Sequence, residues 1–226
     1  MTEELMVGTL GWDYDEWVES YYSDDLPDDW RFAYYSNDHR SVLVPAGHIK
    51  LDVEDVASEW AEDCDEEFRF VVEIPKNRLL AADEATLQSY VQSFASIQTH
   101  LAGFYIPLGS ITKQEIALLQ TRVSQLQTKG PLCIDYDRAS EASDALRSFA
   151  SENNIGVCWH ADVDGEPAAG GRLMLTLSDE QNPKAQRTII EALEEWMQQS
   201  NGIAGLFLKT PAAASQARII AEMLGI

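Results

Sequence analysis

The feature that most constrains the fold is an alternation, along the whole chain, of short apolar runs with segments of helical periodicity. Eight runs are apolar at nearly every position, which is typical of β-strands that are covered on both faces. They lie at 5–10, 41–45, 68–74, 102–108, 131–136, 155–160, 172–177 and 202–208. Each is bounded by polar or glycine-containing segments, so each is predicted to be a separate strand.

The segments between these runs repeat their apolar residues with the period of an amphipathic helix. In 52–64, Val53, Val56 and Trp60 share one face and acidic residues cover the other. Thr112 and Glu115 have the spacing of a capping box, which predicts a helix start there. Helices are predicted over 52–64, 86–98, 112–127, 139–153, 182–200 and 212–225.

Strands that alternate with helices favour parallel pairing through right-handed crossovers. Eight such units favour an α/β fold, a closed TIM-barrel-like (β/α)₈ barrel, over an open sheet. The segment HADVDGEPAAGGR (160–172) stands where a helix should follow the sixth strand, so the barrel is predicted to be trimmed there. No proline-rich linker or internal repeat divides the chain, and a single barrel domain over 1–226 is predicted.

Composition excludes several classes of function. The formal net charge is −22, from 38 acidic and 16 basic residues, and this charge would repel nucleic acid. No apolar run is long enough to span a membrane, and the N-terminus lacks the pattern of a secretory signal. The three cysteines, Cys64, Cys133 and Cys158, show no Cys-x-x-Cys spacing. They are interpreted as reduced thiols of a cytoplasmic protein with no nucleic-acid or membrane partner.

Aromatic residues are concentrated directly after the first predicted strand, in VGTLGWDYDEWVESYYSDDLP (7–27). In a parallel barrel, functional residues cluster where strands end and helices begin. Trp12, Tyr14 and Trp17 are therefore expected near the barrel mouth. Two interpretations stay open: they pack the mouth and the first helix, or they form an aromatic platform for a ligand.

This stretch resembles the opening of the YecE-like family (domain of unknown function 72), whose members begin Gly-Thr-Ser-Gly-Trp-x-Tyr-x-x-Trp. The resemblance continues at DWRFAYYSNDHRSV (29–42), which looks like the family's helix and second strand, and at WAEDCDEEFRFVVEIPK (60–76). Beyond about the first 80 residues it rests on the order of elements. The resemblance implies a TIM-barrel-like fold and no established activity.

The chain departs from the family pattern at several strand ends. VLVPAGHI stands where the family carries Val-Glu-Ile-Asn-x-x-Phe-Tyr, and Glu73 stands where the family has Lys. DYDR replaces Glu-Phe-Arg-His, which keeps an acid at Asp135 and an aromatic ring at Tyr136 but puts Asp137 in place of Arg. The chain is therefore interpreted as a divergent member whose site is degenerate or altered.

Projecting the strand ends onto one rim gives a candidate site. Glu73, Asp135 and His160 are the candidate catalytic residues, because two carboxylates and an imidazole can exchange protons with a substrate. The candidate ligand-binding residues are Trp12, Tyr14, Trp17, Tyr105, Asp162 and Lys209. The carboxylates and His160 could also hold a divalent ion, with Asp162 and Asp164 as further oxygen ligands. No spacing is diagnostic, so no metal or cofactor is assigned. The alternative for each acid is a salt bridge, for example with Arg138 or Lys209, and the alternative for His160 is a hydrogen-bonded structural role at the strand end.

Three functions stay open from the sequence. One is a binding or unassigned role with a degenerate site, for which the acidic charge favours a small neutral molecule. The second is a hydrolase or isomerase that acts on a sugar-like or phosphorylated small molecule at the carboxyl-end face. The third is an acidic scaffold that recruits a basic partner. The sequence does not decide whether the protein is an enzyme, and it does not give the oligomeric state.

Overall fold

The computed structural model describes residues 5–49, 56–81 and 83–226. Part of the helix that was predicted over 52–64, namely 52–55, lies outside the described residues. The described part of that prediction forms a helix over Val56–Glu62.

Eight strands form one sheet in which every pairing is parallel. They are β1 Met6–Leu10, β2 Ser41–Val44, β3 Arg69–Glu73, β4 Leu101–Gly109, β5 Leu132–Tyr136, β6 Gly156–Val157, β7 Leu173–Ser178 and β8 Ile203–Leu208. Their order is β6-β5-β4-β3-β2-β1-β8-β7. Across the remaining gap the Trp159 N–H donates to the Leu175 carbonyl at 2.8 Å, so the ring is nearly closed. All eight predicted strands and the TIM-barrel-like fold are confirmed.

Eight α-helices alternate with or follow the strands within the described residues. They are α1 Arg31–Asp38, α2 Val56–Glu62, α3 Lys76–Ala81, α4 Glu84–Gln92, α5 Lys113–Gln127, α6 Ser143–Glu152, α7 Pro183–Ser200 and α8 Pro211–Leu224. The capping box is confirmed, since the Thr112 N–H donates to the Glu115 carboxylate at 2.8 Å and the Glu115 N–H donates back to the Thr112 hydroxyl at 3.3 Å. In the described ranges, no helix has the length and the apolar character that a membrane crossing requires.

Some helices differ from the prediction in their bounds, and one was not predicted. The helix predicted over 139–153 begins at Ser143 and ends at Glu152. The helix predicted over 86–98 begins two residues earlier, because the Asp83 carboxylate caps it by accepting from the Thr86 N–H at 2.7 Å. It ends at Gln92, and a 3₁₀ turn over Ala95–Ile97 follows. The helix α3 was not predicted, because its six residues are too few to show a helical period.

The barrel is trimmed after β6, as predicted: turns and bends, rather than a helix, connect residue 158 to residue 172. Only Gly156 and Val157 of the predicted strand 155–160 count as strand. The chain then passes close to β6 again at Gly171, where a Cβ atom would lie 2.5 Å from the Gly156 Cα atom. Gly171 also has a φ of +83°, so glycine is needed here for both reasons.

Alternation along the strands separates an inner layer from an outer one. The inner cluster fills the barrel and consists of Met6, Leu43, Val71, Ala102, Tyr105, Cys133, Cys158, Leu173, Leu175 and Phe207. The strand residues whose side chains point out of the barrel pack against the helices. Two positions beyond the inner residues Val71, Cys133 and Cys158 come Glu73, Asp135 and His160, so the pleat directs these three polar side chains to the carboxyl end of the barrel.

Candidate functional site

The carboxyl ends of β4, β5 and β6 bring three polar side chains into direct contact. The Asp135 Oδ1 atom lies 2.8 Å from the His160 Nε2 atom, and the Asp135 Oδ2 atom accepts from the Tyr105 hydroxyl at 3.1 Å. Tyr105 is 5% exposed. Burial, and then the charge of Asp135, raise the pKa of the Tyr105 hydroxyl, so this group stays protonated and acts as a donor.

The hydrogen bonds determine which nitrogen of His160 is available. An ionised carboxylate only accepts hydrogen bonds, so His160 donates to Asp135 through Nε2–H. In neutral imidazole the other nitrogen, Nδ1, then carries a lone pair. The His160 side chain is 33% exposed and that of Asp135 is 19% exposed, so the pair is accessible but mostly shielded from water.

Arg138 and Asp164 hold the loop that carries His160. Arg138 contacts the Asp164 carboxylate at 3.0 and 3.3 Å, and it also donates to the carbonyls of Tyr136 and Cys158 at 2.6 Å each. Asp164 in turn accepts from the backbone N–H of His160 at 3.0 Å. These contacts fix the backbone from which the imidazole projects, which is how a rigid site is maintained on a loop.

The ionisation of Asp164 follows from the same contacts. Burial opposes its negative charge, but the hydrogen bonds from Arg138 and from the His160 N–H outweigh burial and hold the pKa of this carboxyl below its usual value. Asp164 therefore stays charged and paired. Arg138 also lies 3.6 Å from the Asp135 Oδ1 atom, which confirms the salt bridge that was considered as the alternative for Asp135.

Cys158 lies beneath the pair in the barrel interior, with no exposed surface. A hydrogen bond with Cys133, together with burial, raises the pKa of its thiol well above the usual range. A buried neutral thiol is a poor nucleophile. All three cysteines are free thiols.

Glu73 reaches the same end of the barrel but bonds elsewhere. Its Oε2 atom accepts from the Ala46 N–H at 3.4 Å, and burial raises the pKa of its carboxyl. Among the described residues, no contact joins its carboxylate to Asp135 or His160. The structure thus brings two of the three candidate catalytic residues together, and the catalytic role of Glu73 stays a prediction.

The aromatic candidates pack on the side of β1 and β2. Trp12 is 6% exposed and meets the rings of Phe32 and Trp60 edge-on at 4.9 and 5.0 Å. Trp17 is also buried, with its ring 4.9 Å from that of Tyr14. Tyr14 donates to the Leu10 carbonyl at 2.7 Å and is half-buried. These contacts account for the aromatic stretch by packing, and ligand binding by Trp12, Tyr14 and Trp17 stays a prediction.

The remaining candidates lie at the edge of the mouth. Lys209, after β8, donates to the Asp179 carboxylate at 2.9 Å, and both side chains are exposed. Asp162 is exposed in the loop after β6. Of the predicted ligand-binding residues, Tyr105 is the one that contacts the Asp135–His160 pair. Binding by Asp162 and Lys209 stays a prediction.

A cavity of about 360 Å³ adjoins the site where the helix after β6 is missing. Its lining includes Arg138, Arg147, Trp159 and Asp164. The Trp159 indole N–H donates to the carbonyls of Asp164 and Gly165 at 3.1 and 3.2 Å, so this loop is folded back over the cavity rather than extended. The shortened connection thus leaves a cavity beside Arg138 and Asp164, the two residues that hold the loop of His160.

Three residues that the structure adds to the site are only weakly marked in the sequence. Arg138 was considered only as a salt-bridge partner, Asp164 only as an oxygen ligand, and Cys158 only as a buried strand residue. Their arrangement depends on the turn after β6, which has no helical or strand period. The one available signal was the spacing in Cys-Trp-His, since Cys158 and His160 are two residues apart and share a strand face.

Comparisons with known proteins agree with the fold. No curated protein matches the sequence. A DUF72 family protein of Enterococcus faecalis has a similar structure, with 15% identity, 100% coverage of both chains and a TM-score of 0.68. A DUF72 family protein of Thermotoga maritima is also similar, with 12% identity, 99% coverage of this chain, 100% coverage of that chain and a TM-score of 0.62. At these identities the likeness shows the fold alone.

The sequence itself gives the family. The family model described as "Protein of unknown function DUF72" matches residues 6–226, which is nearly the whole chain. This match agrees with the resemblance seen in the aromatic opening. The chain therefore belongs to the DUF72 family.

Proposed function

We propose that the protein binds a small uncharged molecule that carries hydroxyl groups at the carboxyl-end mouth of its barrel. Asp135 and His160 move a proton to and from this molecule. The observation that carries the proposal is the 2.8 Å contact between Asp135 and His160, with Tyr105 bonded to the second carboxylate oxygen. A hydrogen-bonded carboxylate and imidazole at the carboxyl ends of barrel strands is an arrangement suited to acid–base chemistry.

The two nitrogens of the His160 imidazole have different roles. Asp135 holds the hydrogen on Nε2, so the Nδ1 lone pair of His160 accepts a proton from the bound molecule. The imidazolium that forms is stabilised by the Asp135 carboxylate. If His160 returns the proton to a different atom of the same molecule, the reaction is an isomerisation. If His160 instead takes a proton from a water molecule that attacks the bound molecule, the reaction is a hydrolysis.

The surroundings favour acid–base chemistry over a covalent intermediate. Cys158 is neutral, buried and bonded to Cys133, which makes it a poor nucleophile. Tyr105 is a donor to Asp135 and stays protonated. His160 is thus the group in this cluster that is free to exchange a proton.

The cations near the site are paired within the protein, which favours an uncharged ligand. The guanidinium of Arg138 is committed to Asp164 and to two carbonyls, and the Lys209 ammonium is paired with Asp179. Both of these cations therefore already have partners in the free protein. The net charge of −22 adds a general repulsion of anions. Within the earlier alternative of a sugar-like or phosphorylated substrate, the proposal therefore takes the unphosphorylated class.

We propose a cytoplasmic location because the odd number of cysteines and the burial of Cys133 and Cys158 fit reduced thiols. Reduced thiols persist in a reducing compartment. This placement is part of the proposal.

The proposal is tested with a panel of unphosphorylated aldoses, ketoses and sugar lactones in D₂O. Proton NMR reads deuterium incorporation next to the carbonyl group, or lactone opening. The His160→Gln and Asp135→Asn variants should lose about 10²- to 10⁴-fold of any such rate, because this is the usual contribution of general acid–base catalysis. The corresponding sugar phosphates serve as the matched charged panel and should react more slowly.

The outcomes separate the functions. Turnover that depends on both residues supports the proposal. Binding seen as chemical-shift changes, without exchange or hydrolysis, would favour the binding role with a degenerate site. Turnover that survives both substitutions, or a preference for the phosphorylated panel, would contradict the proposal.

A further inference from the structure

Asp135, Cys158 and His160 form a group whose composition goes beyond an acid–base pair. A carboxylate oxygen, a thiol sulfur and an imidazole nitrogen lie within 4.8 Å of one another. In the described ranges, this is the one group of at least three acidic, histidine or cysteine side chains that converges in this way. The acid–base reaction uses two of these groups and leaves the sulfur unexplained.

The donor set selects a class of ion. Magnesium and calcium take oxygen ligands, whereas sulfur and imidazole nitrogen favour zinc and its neighbours among the transition metals. Three protein ligands with an open fourth position are also the number found in catalytic zinc sites. The group therefore fits a thiophilic divalent ion.

The geometry requires the ligand atoms to move, because they lie within 4.8 Å of one another and the Asp135–His160 contact is shorter than a shared ion allows. Zinc–ligand distances of about 2.0–2.3 Å place tetrahedral ligand atoms roughly 3.4 Å apart. The Asp135 Oδ1 and His160 Nε2 atoms now lie 2.8 Å apart, so this pair must open by roughly 0.6 Å. Both side chains are partly exposed and can rotate, whereas Cys158 is fixed in the buried layer below them.

The charges of the cluster balance around such an ion. The carboxylate of Asp135 and a thiolate at Cys158 would neutralise a divalent cation. Arg138 lies 3.6 Å from Asp135 but is itself neutralised by Asp164 at 3.0 Å. The net charge of the whole protein, −22, further favours the approach of cations.

We propose that Asp135, Cys158 and His160 bind Zn²⁺ or a similar thiophilic divalent ion, with the fourth coordination position open to the barrel mouth. Binding breaks the Cys158 S–H bond and releases that proton to solvent. The imidazole proton moves from Nε2 to Nδ1, so that Nε2 can coordinate. No group is oxidised or reduced. The site uses the same side chains as the acid–base pair, and the ion replaces their hydrogen bond, so the metal-bound form and the acid–base reaction of the metal-free form exclude each other.

Two neighbours support the ligands from behind. Tyr105 donates to the Asp135 Oδ2 atom at 3.1 Å and leaves Oδ1 for the ion. Cys133 is hydrogen-bonded to Cys158 and can donate to its thiolate once the metal is bound. Such supporting bonds usually change metal affinity by about 10- to 100-fold, so Tyr105→Phe should weaken binding by that factor.

The test is a Co²⁺ titration of the reduced full-length chain, followed by absorption spectroscopy. The wild type should show a thiolate-to-cobalt charge-transfer band in the near ultraviolet and intense visible bands of a four-coordinate ion. Added Zn²⁺ should displace the cobalt and remove both. Cys158→Ser should lose the charge-transfer band, and His160→Gln should weaken binding. Cys64→Ser, at the partly exposed cysteine outside the barrel, is the matched control and should bind as the wild type does.

The outcomes are distinct from those of the substrate panel, because no substrate is present. A wild type without the charge-transfer band would overturn the metal site and leave the acid–base proposal standing. A band that persists in Cys158→Ser, or disappears in Cys64→Ser, would overturn it as well. Circular dichroism of the metal-free variants checks folding, and Cys158→Ala provides a second replacement if the serine variant is unfolded.

Discussion

The two sides of the barrel mouth contrast in how their polar and aromatic groups are used. On the β1–β3 side, Trp12 and its neighbours pack ring against ring, and Glu73 bonds to a backbone N–H. On the β4–β6 side, Asp135 and His160 bond to each other and leave an imidazole nitrogen available. The same rim thus has one side whose groups pack against each other and one side where a partly exposed imidazole is bonded to a carboxylate.

This contrast shows that position at a strand end does not by itself make a functional residue. The strand ends of both sides carry groups capable of chemistry. Trp12 is buried among its ring contacts, whereas the His160 side chain is one-third exposed. Substitutions on the two sides should therefore affect different properties.

The largest effect on stability is expected for Trp12→Ala. Removing a buried tryptophan usually costs about 3–5 kcal/mol of unfolding free energy, through lost apolar contact and the cavity left behind. Denaturant unfolding measures this cost. The exposed Trp30, at 63% exposure, is the matched control, and Trp30→Ala should change stability by about 0.5 kcal/mol or less. Equal losses for the two variants would contradict the division between the sides.

The next effect concerns His39, which is fully buried and stacks on Tyr35 at a ring distance of 4.6 Å. Burial lowers the pKa of His39 from 6.5 to about 4, with the charges of Asp38 and Arg218 acting in opposite directions. The folded state resists protonation of His39. The contribution of neutral His39 to the free energy of unfolding is therefore complete above pH 6.5 and is lost as the pH falls toward 4. The loss is about 3 kcal/mol.

The substitution His39→Phe removes this titration while keeping a ring in the stack. Between pH 7 and about pH 4, the unfolding free energy of the wild type should therefore fall more steeply with decreasing pH than that of the variant. Denaturant unfolding at a series of pH values gives the two slopes. Parallel slopes would show that His39 is not held neutral by burial.

A smaller effect on stability is expected on the other side of the mouth. The His160 side chain is one-third exposed, and its loss removes one hydrogen bond to Asp135. His160→Gln should cost about 1 kcal/mol, the usual net contribution of such a bond. If unfolding shows a loss as large as that of Trp12→Ala, the imidazole belongs to the core and not to an accessible site.

The smallest effect is expected for Glu73→Gln. Burial raises the pKa of this carboxyl, so the folded state favours its protonated form. The contribution of Glu73 to the free energy of unfolding is therefore present at low pH and is lost as the pH rises through the titration of its carboxyl. The variant, which has no charge to bury, should melt at a slightly higher temperature than the wild type at pH 7 and at the same temperature at low pH. A lower melting temperature at pH 7 would mean that the charge is stabilised in the fold.

The sequence predicted the fold well because strand and helix periods are local signals. All eight strands were found, and the Thr112 capping box was visible three residues apart. The site was predicted only in part, because contacts such as Arg138 with Asp164 join residues 26 positions apart through an irregular turn. Asp135 and His160 could be found as strand ends, but the direction in which Glu73 points could not.

The state of the imidazole nitrogens tests the central claim most directly. In protein labelled with ¹⁵N-histidine, long-range ¹H–¹⁵N correlation at mildly alkaline pH identifies the tautomer, and His160→Gln assigns the signal. We expect that His160 carries its hydrogen almost wholly on Nε2, and that Asp135→Ala lowers this population toward that of a free histidine, which itself favours Nε2. A hydrogen on Nδ1, or a spectrum unchanged by Asp135→Ala, would contradict the acid–base pair.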